Sequence, residues 1–186
     1  MKKTAMLFAN GFEEVEALTV VDILRRAGIV CDMLSLDGAD ETAGSHGITV
    51  RMDGSLASAD MSGYDGLILP GGMPGTTNLA ADERVLRLLR DYCAAGKLTA
   101  AICAAPTVLA KAGILEGRSA VCYPGLEDKL TGAKAGTEPV VLDGTVMTSR
   151  GVGTALPFAL ELVAYLGSRE HAEALAKSVV FSREGA

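Results

Sequence analysis

Cys103 stands where the apolar run 98–102 gives way to Ala104-Ala105-Pro106, the opening of a helix pattern. A thiol at a strand-to-helix junction faces the first free amides of the helix. Their partial positive charge favours thiolate and is expected to lower the cysteine pKa. Two further segments could serve that sulfur. Asn10-Gly11-Phe12-Glu13-Glu14-Val15-Glu16 follows one apolar run, and Leu69-Pro70-Gly71-Gly72-Met73-Pro74-Gly75 follows another. Positions 13, 16, 17, 20, 23, 24 and 27 share one helical stripe made apolar by Ala17, Val20, Ile23, Leu24 and Ala27. Glu13 and Glu16 therefore fall on its core-facing side, and Asp22, Arg25 and Arg26 on the wet side. A buried carboxyl beside a thiolate keeps its proton at neutral pH, so it can donate to sulfur and shuttle a proton. The plainer reading, acidic residues complementing the helix dipole, suits Glu14 best and Glu16 least. Gly71 and Gly72 let the backbone turn sharply with amides facing inward. Paired with the amide of Ala104 they form an oxyanion hole, although glycines after a strand also make ordinary loops.

The elements that must position these groups are strand-length apolar runs at 4–9, 29–36, 66–69, 98–102, 119–121, 139–142 and 146–148. Helix patterns at about 13–28, 82–96, 104–112 and 154–166 separate them. Runs apolar on both faces describe a parallel sheet covered on both sides, so the class is α/β, doubly wound. Ligands of such sheets bind at the carboxyl ends of the strands, where the three segments above converge. Segment 44–52 reads as a hairpin or edge excursion, and Asp143-Gly144 as a tight hairpin turn.

The 186 residues suffice for one good core, so residues 1–186 are read as one domain. A net charge of −6 without any Lys/Arg run argues against direct nucleic-acid binding. The apolar stretch after Met1-Lys2-Lys3 ends at Asn10 and meets acidic residues, which fits neither a signal peptide nor a membrane span. A cytoplasmic protein is expected. Cys31, Cys93, Cys103 and Cys122 form no CxxC pair and have no histidine spaced for a metal site, so no metal, cofactor or disulfide is expected. Cys31 and Cys93 fit buried positions as small apolar residues; Cys122 either does the same or approaches the site. GxGxxG and the Gly-Lys-Ser/Thr of a P-loop are absent.

Gly11-Phe-Glu-Glu-Val-Glu16, Val21-Asp-Ile-Leu-Arg-Arg-Ala-Gly28, Leu69-Pro-Gly-Gly72, Ala101-Ile-Cys-Ala-Ala-Pro-Thr107 and Thr148-Ser-Arg-Gly-Val-Gly-Thr154 together resemble the ThiJ/PfpI superfamily. The resemblance is nearest to the branch of the parkinsonism-associated protein deglycase and its bacterial relatives, and it runs in order over nearly the whole chain. It implies a flavodoxin-like three-layer sandwich with a mostly parallel central sheet, a nucleophile elbow, and a homodimer. By motif, Cys103 is the nucleophile, Glu16 its carboxylic partner, and Gly72 and Ala104 the amide donors with Gly71 beside them. Glu13 and Asn78 line the pocket, and Arg26 reaches a site across the dimer. Protease-like members carry histidine directly after the cysteine, where Ala104 stands, which disfavours a cysteine-histidine hydrolase. Some close relatives carry histidine before a downstream proline, where this chain has Tyr123 ahead of Pro124. His46 lies in the hairpin segment, either flanking the site or simply solvated. His171 sits in an alanine-rich helix pattern and reads as structural.

The resemblance implies attack by Cys103 on the aldehyde of a reactive dicarbonyl such as methylglyoxal, with Glu16 moving a proton between adjacent carbons before lactate is released. Removal of early glycation adducts from amines and thiols would use the same residues. The rival reading is a redox sensor or stress chaperone in which Cys103 is oxidised and held by Glu16.

Overall fold

Alternation decides the layering. Met6, Phe8, Ile68, Ala100 and Ile102 point to one side of the sheet, and Ala5, Leu7, Leu67, Leu69 and Ala101 to the other, all fully buried. Strands apolar on both faces cannot tolerate water on either, so helices must cover both. The computed structural model describes residues 2–182.

The chain runs β1 (Lys3–Phe8), α1 (Glu14–Arg26), β2 (Val30–Ser35), β3 (Glu41–Ala43), β4 (Thr49–Arg51), β5 (Gly54–Ser55) and β6 (Gly66–Leu69). It continues with α2 (Gly75–Ala81), α3 (Glu83–Ala94), β7 (Leu98–Ile102), α4 (Pro106–Lys111), β8 (Ser119–Ala120) and β9 (Lys134–Ala135). The last elements are β10 (Val140–Asp143), β11 (Val146–Ser149), α5 (Ala155–Leu166) and α6 (Arg169–Ser178). The central sheet has the order β10-β11-β7-β6-β1-β2-β5 and is parallel except at β10, as expected of an α/β flavodoxin-like sandwich. Core residues of α1 and α5, among them Val20, Leu24, Phe158 and Leu162, pack on one face. Leu86 and Leu89 of α3 and Val108 and Leu109 of α4 pack on the other. Each such side chain contributes roughly 1.5–3 kcal/mol through burial.

Helix α1 starts where Glu13 accepts the Glu16 N–H at 2.7 Å. It stops at Gly28, whose φ of +67° continues the chain into β2 where a side chain would be strained. The chain moves from β1 to β2 on one side and then crosses to β6 on the other. The winding therefore reverses between β1 and β6, and a crevice forms at their carboxyl ends.

One expectation needs correction, and three further elements complete the picture. The run 119–121 is not a strand of the main sheet: β8 is two residues long and pairs with β9 in a sheet of its own, and Val121 N–H goes to the Thr148 side chain at 3.0 Å instead of to a main-sheet carbonyl. The run 139–142 does join the main sheet, but antiparallel, as the tight turn at Gly144 requires. Segment 44–52 belongs to a hairpin as expected: it is the turn and second strand of β3–β4, which pairs outside the main sheet. Helix α2 gave no signal in the sequence, since Gly75-Thr-Thr-Asn is a poor helix opening.

Candidate active site

Cys103 is the last turn of β7 made into a corner. Its φ of +66° lies in the left-handed region, at a cost of about 1–2 kcal/mol for a residue with a side chain. The end of β11 and the loop after β8 hold the corner: Cys103 N–H donates to Ser149 O at 3.0 Å, and Cys103 O accepts from Tyr123 N–H at 2.8 Å. The sulfur, half-buried, receives the backbone N–H groups of Ala104 and Gly72.

Glu16 comes to the same point from α1. It is 1% exposed, its Oε2 accepts Gly71 N–H at 3.1 Å, and its carboxyl shares a hydrogen bond with the Cys103 thiol. Oε1 is buried with no conventional partner. Gly71 is obligatory there, because a Cβ would land on Glu16 Oε2 and on Cys103 Cβ.

Burial pushes the Glu16 carboxyl up to about 7. The hydrogen bonds with Cys103 and Gly71 pull it back, and the charge of Glu13 adds to the rise. Burial, followed by the charge and hydrogen bond of Glu16, pushes the thiol up to about 12, against the pull of the Ala104 and Gly72 amides. The lowered thiol pKa expected from the helix end is therefore overturned. The reason is the burial of the sulfur, with the Glu16 carboxyl against it, which together outweigh the two amides. The pair loses its first proton near pH 7 and holds the second far longer, so a thiolate exists only while Glu16 keeps the remaining proton.

The other expected residues occupy distinct places. Glu13 is half-buried, caps α1 and bears electrostatically on Glu16. Asn78 is exposed on α2 and donates to Asn10 O at 3.0 Å, bracing the first loop rather than facing the thiol. His46, with its side chain 68% exposed, sets Nδ1 2.8 Å from Glu14 Oε2 and 3.9 Å from Glu13 Oε1. It borders the site through the carboxylates and does not reach the sulfur bond network. Arg26 is exposed and paired with Asp22 at 2.6 Å. Cys122 is buried, its thiol donating to Tyr123 O at 3.5 Å. Cys31 is sealed in β2, where burial pushes it up to about 11.

Glu14 departs most from expectation. It stands in the first turn of α1 as a dipole partner would, but is 3% exposed and bound from outside the helix. Its carboxylate takes His46 N–H at 2.7 Å, the His46 ring at 2.8 Å, and longer bonds from Ser45 Oγ and Ile48 N–H. Burial pushes it up, but these bonds outweigh burial and hold it down at about 2. Among the described residues Glu13, Glu14 and His46 form the one grouping with metal-ligand spacing, their donor atoms within 4.8 Å of one another. Both Glu14 oxygens are engaged by the 45–48 turn, which accounts for the grouping as a clamp between that turn and α1.

Two loops meet with no side chain between them. Glu13 N–H donates to Gly71 O at 2.9 Å and Gly75 N–H to Gly11 O at 3.1 Å. A Cβ at Gly72 would strike the Phe12 and Glu13 backbone, and one at Gly11 would strike Pro74. A Cβ at Gly151 would come into ordinary contact with the Tyr123 ring at 3.6 Å and with Glu16 Oε1 at 3.9 Å, which sets the ring beside the Cys103–Glu16 pair. Gly151 and Tyr123 went unassigned as site residues in the sequence, though the 148–154 motif contains the glycine.

A strand-corner cysteine, a buried acid on the first helix and a glycine turn opposite are what the resemblance implied, and direct comparison is decisive: the DJ-1/PfpI family matches residues 2–165. The chain belongs to the DJ-1/PfpI family. It is 38% identical over 183 residues to protein dj-1beta of Drosophila melanogaster, covering 97% of this chain and 98% of that one. The crystal structure of Drosophila DJ-1beta superposes with a TM-score of 0.94 at 37% identity, over 97% and 98% of the two chains. The Parkinson disease protein 7 homologue of Danio rerio is 38% identical over 173 residues, 91% of this chain and 92% of that one. A Caenorhabditis elegans family member named glutathione-independent glyoxalase DJR-1.2 is 33% identical over 173 residues, 92% and 91% of the two chains. No helix among the described residues is long and apolar enough to cross a membrane.

Proposed function

We propose that this protein is a cysteine-dependent enzyme acting on reactive dicarbonyls without cofactor or glutathione, converting methylglyoxal to lactate. The observation that carries the reading is the Cys103–Glu16 pair, one thiol and one acid of raised pKa sharing a proton within a cradle of backbone amides. The glyoxalase name of the C. elegans relative supports it.

Glu16 takes the thiol proton as the sulfur attacks the aldehyde carbon, forming the C–S bond. The amides of Ala104 and Gly72 stabilise the oxyanion that the C=O becomes, and Glu16 returns the proton to it, giving a hemithioacetal. The Glu16 carboxylate next removes the hydrogen from that carbon and delivers it to the neighbouring one through an enediol, leaving a thioester. Water hydrolyses the thioester, freeing lactate and the thiol. Early adducts of dicarbonyls on amines and thiols would enter by displacement at the adduct carbon, the Cys103 C–S bond forming as the bond to the amine or thiol breaks and that group leaving with the thiol proton, and would join the route at the hemithioacetal.

The same reading takes the protein as a cytoplasmic homodimer of one domain per chain. Val15 and Ile48, about half exposed on α1 and the hairpin turn, supply an apolar face for a second copy. Partners are the aldehyde or a glycated amine or thiol.

The test is lactate formation from methylglyoxal by purified protein without glutathione. Wild type produces lactate, while Cys103→Ala and Glu16→Gln produce none above the uncatalysed rate. Negligible turnover by wild type, together with a stable gain of two oxygens at Cys103 under mild peroxide, would replace the enzyme by a redox sensor.

A further inference from the structure

The mouth of the site is apolar although its floor is polar. Met73 is 60% exposed, Tyr123 53% and Val152 48%, and all three belong to the loops that surround Cys103. Met73 directly follows Gly72, whose N–H reaches the sulfur. Tyr123 is fixed to the elbow by its own N–H on Cys103 O. Its ring and Glu16 Oε1 both lie within 4 Å of where a Cβ on Gly151 would stand, and Val152 is the next residue along. Exposed large apolar side chains are costly to leave in water, and three gathered around a reactive group mark a surface that a ligand covers.

Methylglyoxal does not explain such a collar, since its single methyl group fills little of it. The floor fixes the reacting end: an aldehyde beside a second carbonyl, taken by sulfur and amides. The collar has no charged side chain in its three members, so the group it receives is neutral and apolar. The exposed ring of Tyr123, next to a residue with no side chain, favours a flat ring laid against it.

We infer that Tyr123, with Met73 and Val152, forms an apolar lip that makes aryl-substituted α-oxoaldehydes better substrates than methylglyoxal. This rests on the dicarbonyl reading above and names the substrate class within it. Tyr123 acts on the substituent, not on the reacting atoms, and is a specificity residue.

The experiment compares kcat/KM for phenylglyoxal and methylglyoxal, read as mandelate and lactate, in wild type, Tyr123→Ala and Tyr123→Phe. A Cys103→Ala control subtracts arginine modification. Wild type favours phenylglyoxal. Tyr123→Ala lowers the phenylglyoxal-to-methylglyoxal ratio by about tenfold, carried mainly by KM, as expected for loss of one aromatic wall. Tyr123→Phe keeps the ratio, because the ring and not the hydroxyl is invoked. The ratio is insensitive to a partly unfolded sample, since both substrates see the same active fraction. A wild-type ratio of one or less, or a ratio within about twofold of wild type in Tyr123→Ala, overturns the lip. If wild type turns over neither aldehyde, the dicarbonyl enzyme fails, and the lip is read instead from brief protection of Cys103 against iodoacetamide. Phenylglyoxal protecting at about tenfold lower concentration than methylglyoxal, with Tyr123→Ala erasing the difference, supports the lip; equal protection by the two overturns it.

Discussion

Glu14 and Glu16 sit two residues apart in the first turn of one helix, both nearly sealed from solvent, and their acid strengths diverge. Glu14 is held down at about 2 and Glu16 is pushed up to about 7. Burial acts on both in the same direction. The difference is the number of donors: Glu14 accepts from two backbone N–H groups, an imidazole and a hydroxyl. Glu16 has one backbone N–H, a thiol, and an oxygen with no conventional partner. The helix turn carries one carboxylate that fastens a hairpin and one acid kept hungry for a proton, so a buried carboxyl is assigned by its donors rather than by its depth.

The contrast breaks most completely if the sparse surroundings of Glu16 are filled. Gly71→Ala drives a methyl group onto Glu16 and Cys103 with Ile102 O at 3.0 Å. Lactate formation then drops by more than about a hundredfold through misplacement, and urea unfolding shows a loss of about 2 kcal/mol from overpacking. Full activity in that variant would mean that the two groups do not abut.

Removing the charge of Glu14 is the next largest effect. Glu14→Gln costs about 2 kcal/mol at pH 7, because one charged acceptor served several donors. A carboxyl held below its ordinary value gives stability that is present above that value and lost as pH falls. The gap between wild type and variant, followed by urea midpoints, therefore closes as pH falls from 4.5 toward about 2. A gap independent of pH would say that the Glu14 charge is not what the hairpin binds.

Glu16→Gln sharpens the comparison with the opposite sign. A raised carboxyl contributes stability while protonated, and that contribution is lost as pH rises through about 7. The variant has no proton to lose, so between pH 6 and 9 it gains on wild type by about 1–2 kcal/mol while remaining inactive. A flat difference across that range would place an ionised carboxylate at Glu16 throughout.

His46→Ala is the smallest change. The ring is exposed, and its pKa is raised by hydrogen bonding to Glu14 and by that residue's charge. Its contribution is greatest below 6.5 and fades as pH rises past its own raised value, staying below that of Glu14→Gln throughout. Thermal melts at pH 5.5 and 8.5 suffice to show it.

Much of this was legible because it is local. The alternating runs of β1, β6 and β7, the stripe that turned Glu16 inward and the cysteine after residue 102 each declare themselves within about ten residues. Asp143-Gly144 announced its turn for the same reason. What could not be read depends on partners far along the chain. Glu14 looked like a dipole partner because its donors lie at 45–48, and nothing near residue 14 reports them. The thiol seemed easily ionised because the helix after it is visible in sequence while the depth of its burial is not. The run 119–121 had strand composition but lost its place in the main sheet to β11, which pairs with β7 directly. Asn78 could be placed near the site, yet not the Asn10 carbonyl that occupies it.

The glycine seam between residues 11–13 and 71–75 has a bearing on traffic. Peptide lies on peptide there, with no side chain to rotate aside, so a gate cannot swing along that border without unzipping the ends of β1 and β6. Passage is left to the opposite shore, the side of Tyr123 and Val152, and a single doorway there would serve whatever comes to or leaves the sulfur.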